Sequence, residues 1–88
     1  MKLSNEKREK ISEQILQIIF IKSPKSLFTS EIAKEIARDE EFIKDLLEDL
    51  QSKKLIIKIT KNPKGFTYLR RARWRLSDAI YNHYRNNQ

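Results

Sequence analysis

The stretch TSEIAKEIARDEEFIKDLLEDLQSKKL, which runs from Thr29 to Leu55, decides the fold of this 88-residue sequence. Its apolar residues recur at helical spacing in two blocks that are separated by a short polar turn. Thr29 and Asp39 each precede one block and carry the side-chain oxygen with which a helix N-cap accepts a backbone N–H. We therefore predict two helices joined by a tight turn, the first ending at Ala37 and the second at about Lys53.

A third helix is predicted upstream of this pair. Isoleucines recur at i, i+4, i+7 and i+8 between about Asn5 and Ile21, a spacing that gives one apolar helical face. Pro24 is expected to end this helix, because the residue before a proline is held out of the helical conformation. Ser26 to Phe28 is expected to form a short extended segment that leads to Thr29.

A hairpin is predicted downstream of the pair. Leu55, Ile57 and Ile59 recur at a spacing of two, which is typical of a strand. The sequence Asn-Pro-Lys-Gly at 62–65 is a strong turn signal. The return strand is therefore expected from Phe66 to Arg75.

Ser77 is placed to cap a last helix, which completes the predicted order of elements. Helix, short strand, helix, tight turn, helix and two-stranded ribbon is the order found in the winged helix-turn-helix family. FTSEIAKEIA resembles the second helix of that family, LLEDLQSKKLI resembles the end of its third helix, and WRLS resembles the close of its wing. The resemblance extends from about Arg8 to Ser77.

The resemblance implies a mainly α fold with a small antiparallel β-hairpin: a winged helix with a three-helix core, a β-wing and a C-terminal helix. We expect a single domain over residues 1–88, with the helix-turn-helix at about 29–53, the wing at about 55–76 and the C-terminal helix at about 77–86. In this family the third helix usually enters the major groove of DNA, and the wing contacts phosphates or the minor groove.

Charge is unevenly distributed along the chain, whose formal net charge is +7 and whose pI is near 9.8. Residues 1–28 carry six basic and three acidic side chains, and residues 29–49 carry three basic and eight acidic ones. Residues 53–88 carry ten basic side chains against Asp78 alone. This distribution predicts an electrostatically two-sided molecule with a polyanionic partner.

The third helix departs from the family pattern on its outward side. The positions expected to be exposed there hold one cation among carboxylates: Glu40, Glu41, Lys44, Asp45, Glu48 and Asp49. Phosphates would repel this face, which disfavours reading of the major groove by helix 3. A basic protein partner would suit it better, and the predicted docking face consists of Glu40, Glu41, Lys44, Asp45 and Glu48.

The cations concentrate on the wing and its flanks. We predict a nucleic-acid-binding set, called the basic wing below, that consists of Lys53, Lys54, Lys58, Lys61, Lys64, Arg70, Arg71, Arg73 and Arg75. In a regular strand Arg71, Arg73 and Arg75 project from one side at intervals of about 7 Å. Arginines in such a row offer forked donors to phosphate oxygens.

Three aromatic residues, Phe66, Tyr68 and Trp74, are interleaved with these arginines. The functional interpretation is that they stack on unpaired bases, and the alternative is that they pack in the core or at the base of the wing. We favour packing for Tyr68 and Trp74, because small domains bury their aromatic residues. Phe66 lies beside the turn and suits either interpretation.

Several kinds of site are disfavoured. The sequence has no cysteine, which excludes disulfides, thiol nucleophiles and cysteine-based zinc sites. His83 is the only histidine, so no metal, cofactor or catalytic activity is expected. The start MKLSNEKREK is not a signal peptide, and no apolar run is long enough to span a membrane. We expect an intracellular protein of the cytoplasm or nucleoid.

Two main functions remain. The first is a non-enzymatic regulator of transcription or chromatin-type binder that contacts duplex DNA through the basic wing. The second is an accessory subunit of a nucleic-acid machine, such as a DNA or RNA polymerase complex, docked through the acidic third helix. Binding of RNA is a third interpretation.

The predicted last helix is amphipathic, with Ile80, Tyr81 and Tyr84 on its apolar face. This face predicts either packing against the first helix or a homodimer interface. Neither a membrane nor a small-molecule substrate is expected as a partner.

Overall fold

The computed structural model describes residues 5–61, 64 and 72–87, and within these residues it contains four helices and three short strands. The elements are α1 (Asn5–Lys22), β1 (Leu27–Phe28), α2 (Thr29–Ile36), α3 (Glu40–Ser52), β2 (Ile56–Ile59), β3 (Arg73–Leu76) and α4 (Asp78–Asn86). Most of the predicted turn and the first part of the return strand, with Phe66, Tyr68, Arg70 and Arg71, lie outside the described residues.

The core lies between the first three helices and one face of the sheet. Helix α1 contributes Ile11, Ile15, Leu16 and Ile19, and α2 and α3 contribute Ile32, Ala33, Ile43, Leu46, Leu47 and Leu50. The strands add Leu27, Ile56, Trp74 and Leu76. The helical periodicity of the sequence therefore corresponds to the faces that are buried.

The three strands form an antiparallel sheet in the order β1-β3-β2, so β3 is central. The extended segment predicted before Thr29 is thus β1, which pairs with β3 and forms one edge of the sheet. Leu27 and Lys58 are both paired with Trp74, while Phe28 and Ile59 are both paired with Arg73. Since paired residues share a face, Trp74 points to the core and Arg73 points away from it.

We call the side of the sheet that turns away from the core its outer face. It carries Phe28 from β1, Arg73 and Arg75 from β3, and Ile57 and Ile59 from β2. Trp74 and Leu76 alternate with the two arginines along β3 and are buried, which confirms that Arg73 and Arg75 share one side.

The predicted N-caps of the last two helices are confirmed. The Asp39 carboxylate accepts the N–H of Phe42 at 3.2 Å, and the Ser77 hydroxyl accepts the N–H of Ile80 at 3.4 Å. Each cap satisfies one of the first N–H groups of its helix, which have no partner within the helix itself.

The predicted N-cap of α2 is wrong. The helix begins at Thr29 itself, and Phe28 occupies the cap position. The Thr29 hydroxyl instead accepts the indole N–H of Trp74 at 2.8 Å. The carboxylate of Glu31 accepts the N–H of Phe28 at 2.9 Å and so stabilises the start of the helix. At its other end α2 stops one residue earlier than predicted, because Ala37 is left-handed with φ 59°.

The alternation predicted for β2 is displaced by one residue. Ile56 is 2% exposed and belongs to the core, whereas Ile57 is 36% exposed on the outer face. Leu55 precedes the strand, and its N–H bonds to the Leu50 carbonyl at the end of α3. Since side chains alternate with a period of two, a strand that starts one residue later presents the other set of side chains to the core.

We predict that Thr29→Val destabilises the fold by about 1–3 kcal/mol, because it leaves the buried indole N–H of Trp74 without its acceptor. Thr29→Ser retains the hydroxyl and is the matched control. Urea unfolding followed by Trp74 fluorescence measures both. Equal loss of stability in the two variants would show that the hydrogen bond contributes nothing.

Candidate nucleic-acid interface

Arg73 and Arg75 are the described arginines of the basic wing. They lie two positions apart on β3, and two strand steps separate their Cα atoms by about 7 Å. Both side chains are partly exposed on the outer face of the sheet. Guanidinium groups offer forked donors to phosphate oxygens, so two arginines on one exposed face are suited chemically to a nucleic-acid backbone.

Arg73 is stacked on an aromatic ring. Its guanidinium carbon lies 4.5 Å from the centroid of the Phe28 ring, across the β1–β3 pairing. A cation over a ring face is attracted by the ring quadrupole, which holds the long arginine side chain in place. This contact joins residues that are distant in sequence, and no local pattern indicated it.

Arg75 is held at the start of α4. One of its terminal N–H groups donates to the Leu76 carbonyl at 3.2 Å and lies 3.5 Å from the Asp78 carboxylate. The Asp78 side chain is 93% exposed, and exposed pairs of this kind are worth little in water. A phosphate can therefore replace Asp78 as the partner of Arg75 at small cost.

The lysines of the basic wing lie around the sheet. Lys58 is exposed on β2, with its Nζ 5.6 Å from the centroid of the Trp74 ring. Lys53 pairs with Asp49 at 3.1 Å across the last turn of α3. Lys54 follows in the left-handed conformation, with φ 63°, and turns the chain towards β2.

Lys61 and Lys64 follow β2 and are both exposed. The five lysines of the basic wing thus lie on β2 or next to it in sequence. Strand β2 is paired with β3, which carries Arg73 and Arg75. Arg70 and Arg71 are not among the described residues.

Trp74 is part of the core and is not a platform for unpaired bases. Its side chain is 1% exposed, and its indole N–H is bonded to Thr29. The packing interpretation of Trp74 is therefore confirmed. Tyr68 and Phe66, the other two aromatic candidates, lie outside the described residues.

The outward side of α3 is acidic and mostly exposed to solvent. The residues predicted for a docking face are all exposed: Glu40, Glu41, Lys44, Asp45 and Glu48. Asp49, at the edge of this side, is half-buried and paired with Lys53. The first turn of α3 holds Glu40 and Glu41, where carboxylates also stabilise the positive end of the helix dipole.

Helix α4 packs against the end of α1 through aromatic rings. Phe20 lies 5.6 Å from Tyr81 and 5.4 Å from Tyr84, measured between ring centroids. Burial and, secondarily, the Glu13 carboxylate raise the pKa of the Tyr84 phenol above its ordinary value of 10.0. The predicted packing of the last helix on the first is therefore confirmed, although no residue of α4 is fully buried.

Metal sites and membrane-spanning helices are both absent from residues 5–61, 64 and 72–87. No group of three or more histidine, cysteine, aspartate or glutamate side chains is arranged to hold a metal ion. No helix there has both the length and the apolar composition needed to cross a membrane.

Comparison with known proteins identifies the fold. No protein-family model matches the sequence, and no curated protein matches it. Solved structures do match. A complex of S. aureus MepR with DNA is 20% identical with a TM-score of 0.71, and the match covers 92% of this chain and 66% of that one.

Two further structures match over nearly the whole of this chain. A variant of Lactococcus lactis ZitR is 16% identical with a TM-score of 0.68, and the match covers 99% of this chain and 51% of that one. The PcaV transcriptional regulator of Streptomyces coelicolor, in complex with its natural ligand, is 17% identical with a TM-score of 0.56. The match covers 97% of this chain and 59% of PcaV.

The matched proteins are winged-helix regulators of the MarR family, and this chain spans about half to two thirds of their length. At these identities the comparison establishes architecture. The chain has the winged-helix fold, with mainly helical structure and a small three-stranded antiparallel sheet in its described part.

Proposed function

We propose that this protein binds duplex DNA through the basic wing and acts as a regulator of transcription or a chromatin-type binder. The observation that carries the proposal is the placement of Arg73 and Arg75 side by side on the outer face of the sheet. The fold supports it, since MepR, with the same architecture, has been solved in complex with DNA.

The electrostatics of the two sides support contact through the wing. The lysines of the basic wing lie on β2 and next to it in sequence, and neutralisation of phosphates by such cations releases counterions, which favours binding. The outward side of α3 carries four exposed carboxylates and one lysine in the predicted docking face. Phosphates would approach that side only against repulsion. We therefore infer that α3 does not lie in the major groove in the usual way.

Duplex DNA is favoured over unpaired strands. Proteins that hold single strands combine cations with aromatic rings on which successive bases stack. Trp74 is buried, and the ring of Phe28 is stacked with Arg73. The described residues therefore suit the backbone of a duplex better than a row of exposed bases.

A second candidate is supported by the exposure of the acidic side of α3. In this proposal the chain is an accessory subunit of a larger nucleic-acid machine and docks on a basic protein surface through Glu40, Glu41, Lys44, Asp45 and Glu48. Charge complementarity at such a surface sets specificity and association rate.

The two functions are separated by variants of α3. We predict that replacing Glu41, Asp45 and Glu48 by lysine abolishes association with a larger nucleic-acid machine, measured by co-sedimentation with a DNA or RNA polymerase complex. The same change is expected to strengthen binding to duplex DNA, because it removes three carboxylates that repel phosphates. The same change would leave that association intact if the acidic side is only solvated surface.

We also propose that two copies of the chain form a homodimer through the C-terminal helix. Ile21 at the end of α1 is 65% exposed, next to the half-buried aromatic cluster of Phe20, Tyr81 and Tyr84. An exposed isoleucine next to these rings offers an apolar contact to a second copy. Two copies joined there would present two basic wings to one duplex, which raises affinity through effective concentration.

Charge reversal tests the basic wing. We predict that Arg73→Glu with Arg75→Glu weakens duplex binding by roughly tenfold or more. The negative slope of log affinity against log salt is expected to become shallower by about 2, because about two phosphate contacts are lost. Arg38→Glu with Lys44→Glu makes the same change of net charge at exposed positions of the α2–α3 turn and of α3, outside the basic wing, and is the matched control. Fluorescence anisotropy over a salt series measures both, after circular dichroism has verified the fold.

An equal loss of affinity in the control pair would mean that net charge alone governs binding, and the basic wing would then have no special role. A wild-type salt slope in the Arg73 and Arg75 variant would contradict the proposal directly.

Self-association is tested at Ile21. We predict that the wild-type chain sediments as a dimer at micromolar concentration and that Ile21→Glu sediments as a monomer with unchanged helical content, because a carboxylate would be desolvated in the interface. Gln51→Glu adds the same charge at an exposed position of α3 and is expected to stay dimeric. A wild-type chain that remains monomeric at high concentration would remove the dimer.

A further inference from the structure

Phe28 and Arg73 meet on the outer face of the sheet in a fixed geometry. They are opposite each other in the β1–β3 pairing, and the guanidinium carbon of Arg73 lies 4.5 Å from the centroid of the Phe28 ring. Both side chains are partly buried. The contact therefore belongs to the folded framework at the base of the wing.

The backbone under this contact is fixed from both sides. The N–H of Phe28 donates to the Glu31 carboxylate at 2.9 Å, at the start of α2. Thr29 and Trp74 follow Phe28 and Arg73 in the sequence. The Thr29 hydroxyl accepts the indole N–H of Trp74 at 2.8 Å. These hydrogen bonds join the start of α2 to β1 and to β3, and so hold the backbone that carries Phe28 and Arg73.

Stacking leaves the chemistry of the guanidinium intact. The Nε of Arg73 is buried, so its terminal Nη groups are the donors that a phosphate would meet in a forked pair. A free arginine side chain loses much rotational freedom when it binds an anion, and an arginine already held on a ring loses less.

Nearby charge is compatible with a phosphate at this position. The Glu31 carboxylate, which accepts the Phe28 N–H, also lies 3.8 Å from the Nζ of Lys25. The hydrogen bond and the ion pair reduce the repulsion that this carboxylate exerts on an approaching phosphate.

We propose that Phe28 is a positioning residue and that the Phe28–Arg73 stack is a preorganised phosphate-contact site for the backbone of duplex DNA. The inference rests on the proposed function and assigns its most specific backbone contact. Arg75 differs, since its guanidinium is held by the Leu76 carbonyl and Asp78 instead of by an aromatic ring.

The first test keeps Phe28 and changes the cation. Arg73→Lys retains the positive charge but loses the planar group that both stacks and forms a forked pair. We expect its duplex affinity to fall roughly three- to tenfold, as loss of a cation–π contact and one forked pair implies. Arg38→Lys, at an exposed position between α2 and α3 that lies outside the basic wing, is the matched control and is expected to bind as well as the wild type. An Arg73→Lys variant with wild-type affinity would overturn the inference.

The second test is a double-mutant cycle. Phe28→Leu removes the ring and is expected to weaken duplex binding roughly threefold in the wild-type background. The same change is expected to have no further effect when Arg73→Gln is already present, because the ring then has no guanidinium to position. Phe28→Tyr retains a ring and is expected to restore binding. Equal losses in both backgrounds would show a merely structural role for Phe28 and would overturn the proposal.

The duplex affinities of these variants also distinguish a failure of the preorganised Phe28–Arg73 site from a failure of duplex binding as such. If the wild-type chain does not bind duplex DNA, both fail. If the Arg73→Glu and Arg75→Glu variant loses binding but Arg73→Lys does not, duplex binding by the basic wing stands and only the preorganised site fails. Thermal unfolding of each variant verifies that the differences in affinity arise in folded protein.

Discussion

The burial of Trp74 is the constraint on which the rest of the structure depends. This residue lies at the middle of the central strand, is paired on one side with Leu27 and on the other with Lys58, and is 1% exposed. Its indole N–H would lose a hydrogen bond on burial, and the Thr29 hydroxyl supplies the acceptor. The same contact attaches the wing to the start of α2. Since side chains alternate along a strand, an inward Trp74 also directs Arg73 and Arg75 outward.

Separation of charge follows from this arrangement. The apolar faces of α1, α2 and α3 meet the inner face of the sheet, so the charged residues of each element lie on the remaining surface. For α3 that surface is acidic, and for β3 it holds the two arginines. We expect the arginines of β3 to attract a polyanion and the carboxylates of α3 to repel it. The fold thus keeps the familiar winged-helix architecture, while the charges favour the wing over the third helix as the nucleic-acid contact.

The sequence was sufficient for the features that depend on local patterns. Helical periodicity identified the buried faces, and the oxygens of Asp39 and Ser77 identified two caps. Thr29 was assigned to a cap because the local pattern allowed it, but a tertiary partner 45 residues away uses its hydroxyl. Three consecutive apolar residues at 55–57 fit either strand alternation, and only pairing with β3 selects Ile56 for the core. The Phe28–Arg73 stack likewise depends on a pairing that no local spacing indicates.

We propose that this winged helix binds duplex DNA, and the binding of the wild-type chain to duplex DNA, single-stranded DNA and RNA over a salt series tests this. We predict that the duplex binds most tightly and that log affinity falls steeply with log salt, with a slope of about −4 or steeper, because at least about five phosphates are neutralised. Negligible duplex binding at physiological salt, or a clear preference for either single strand, would contradict the account.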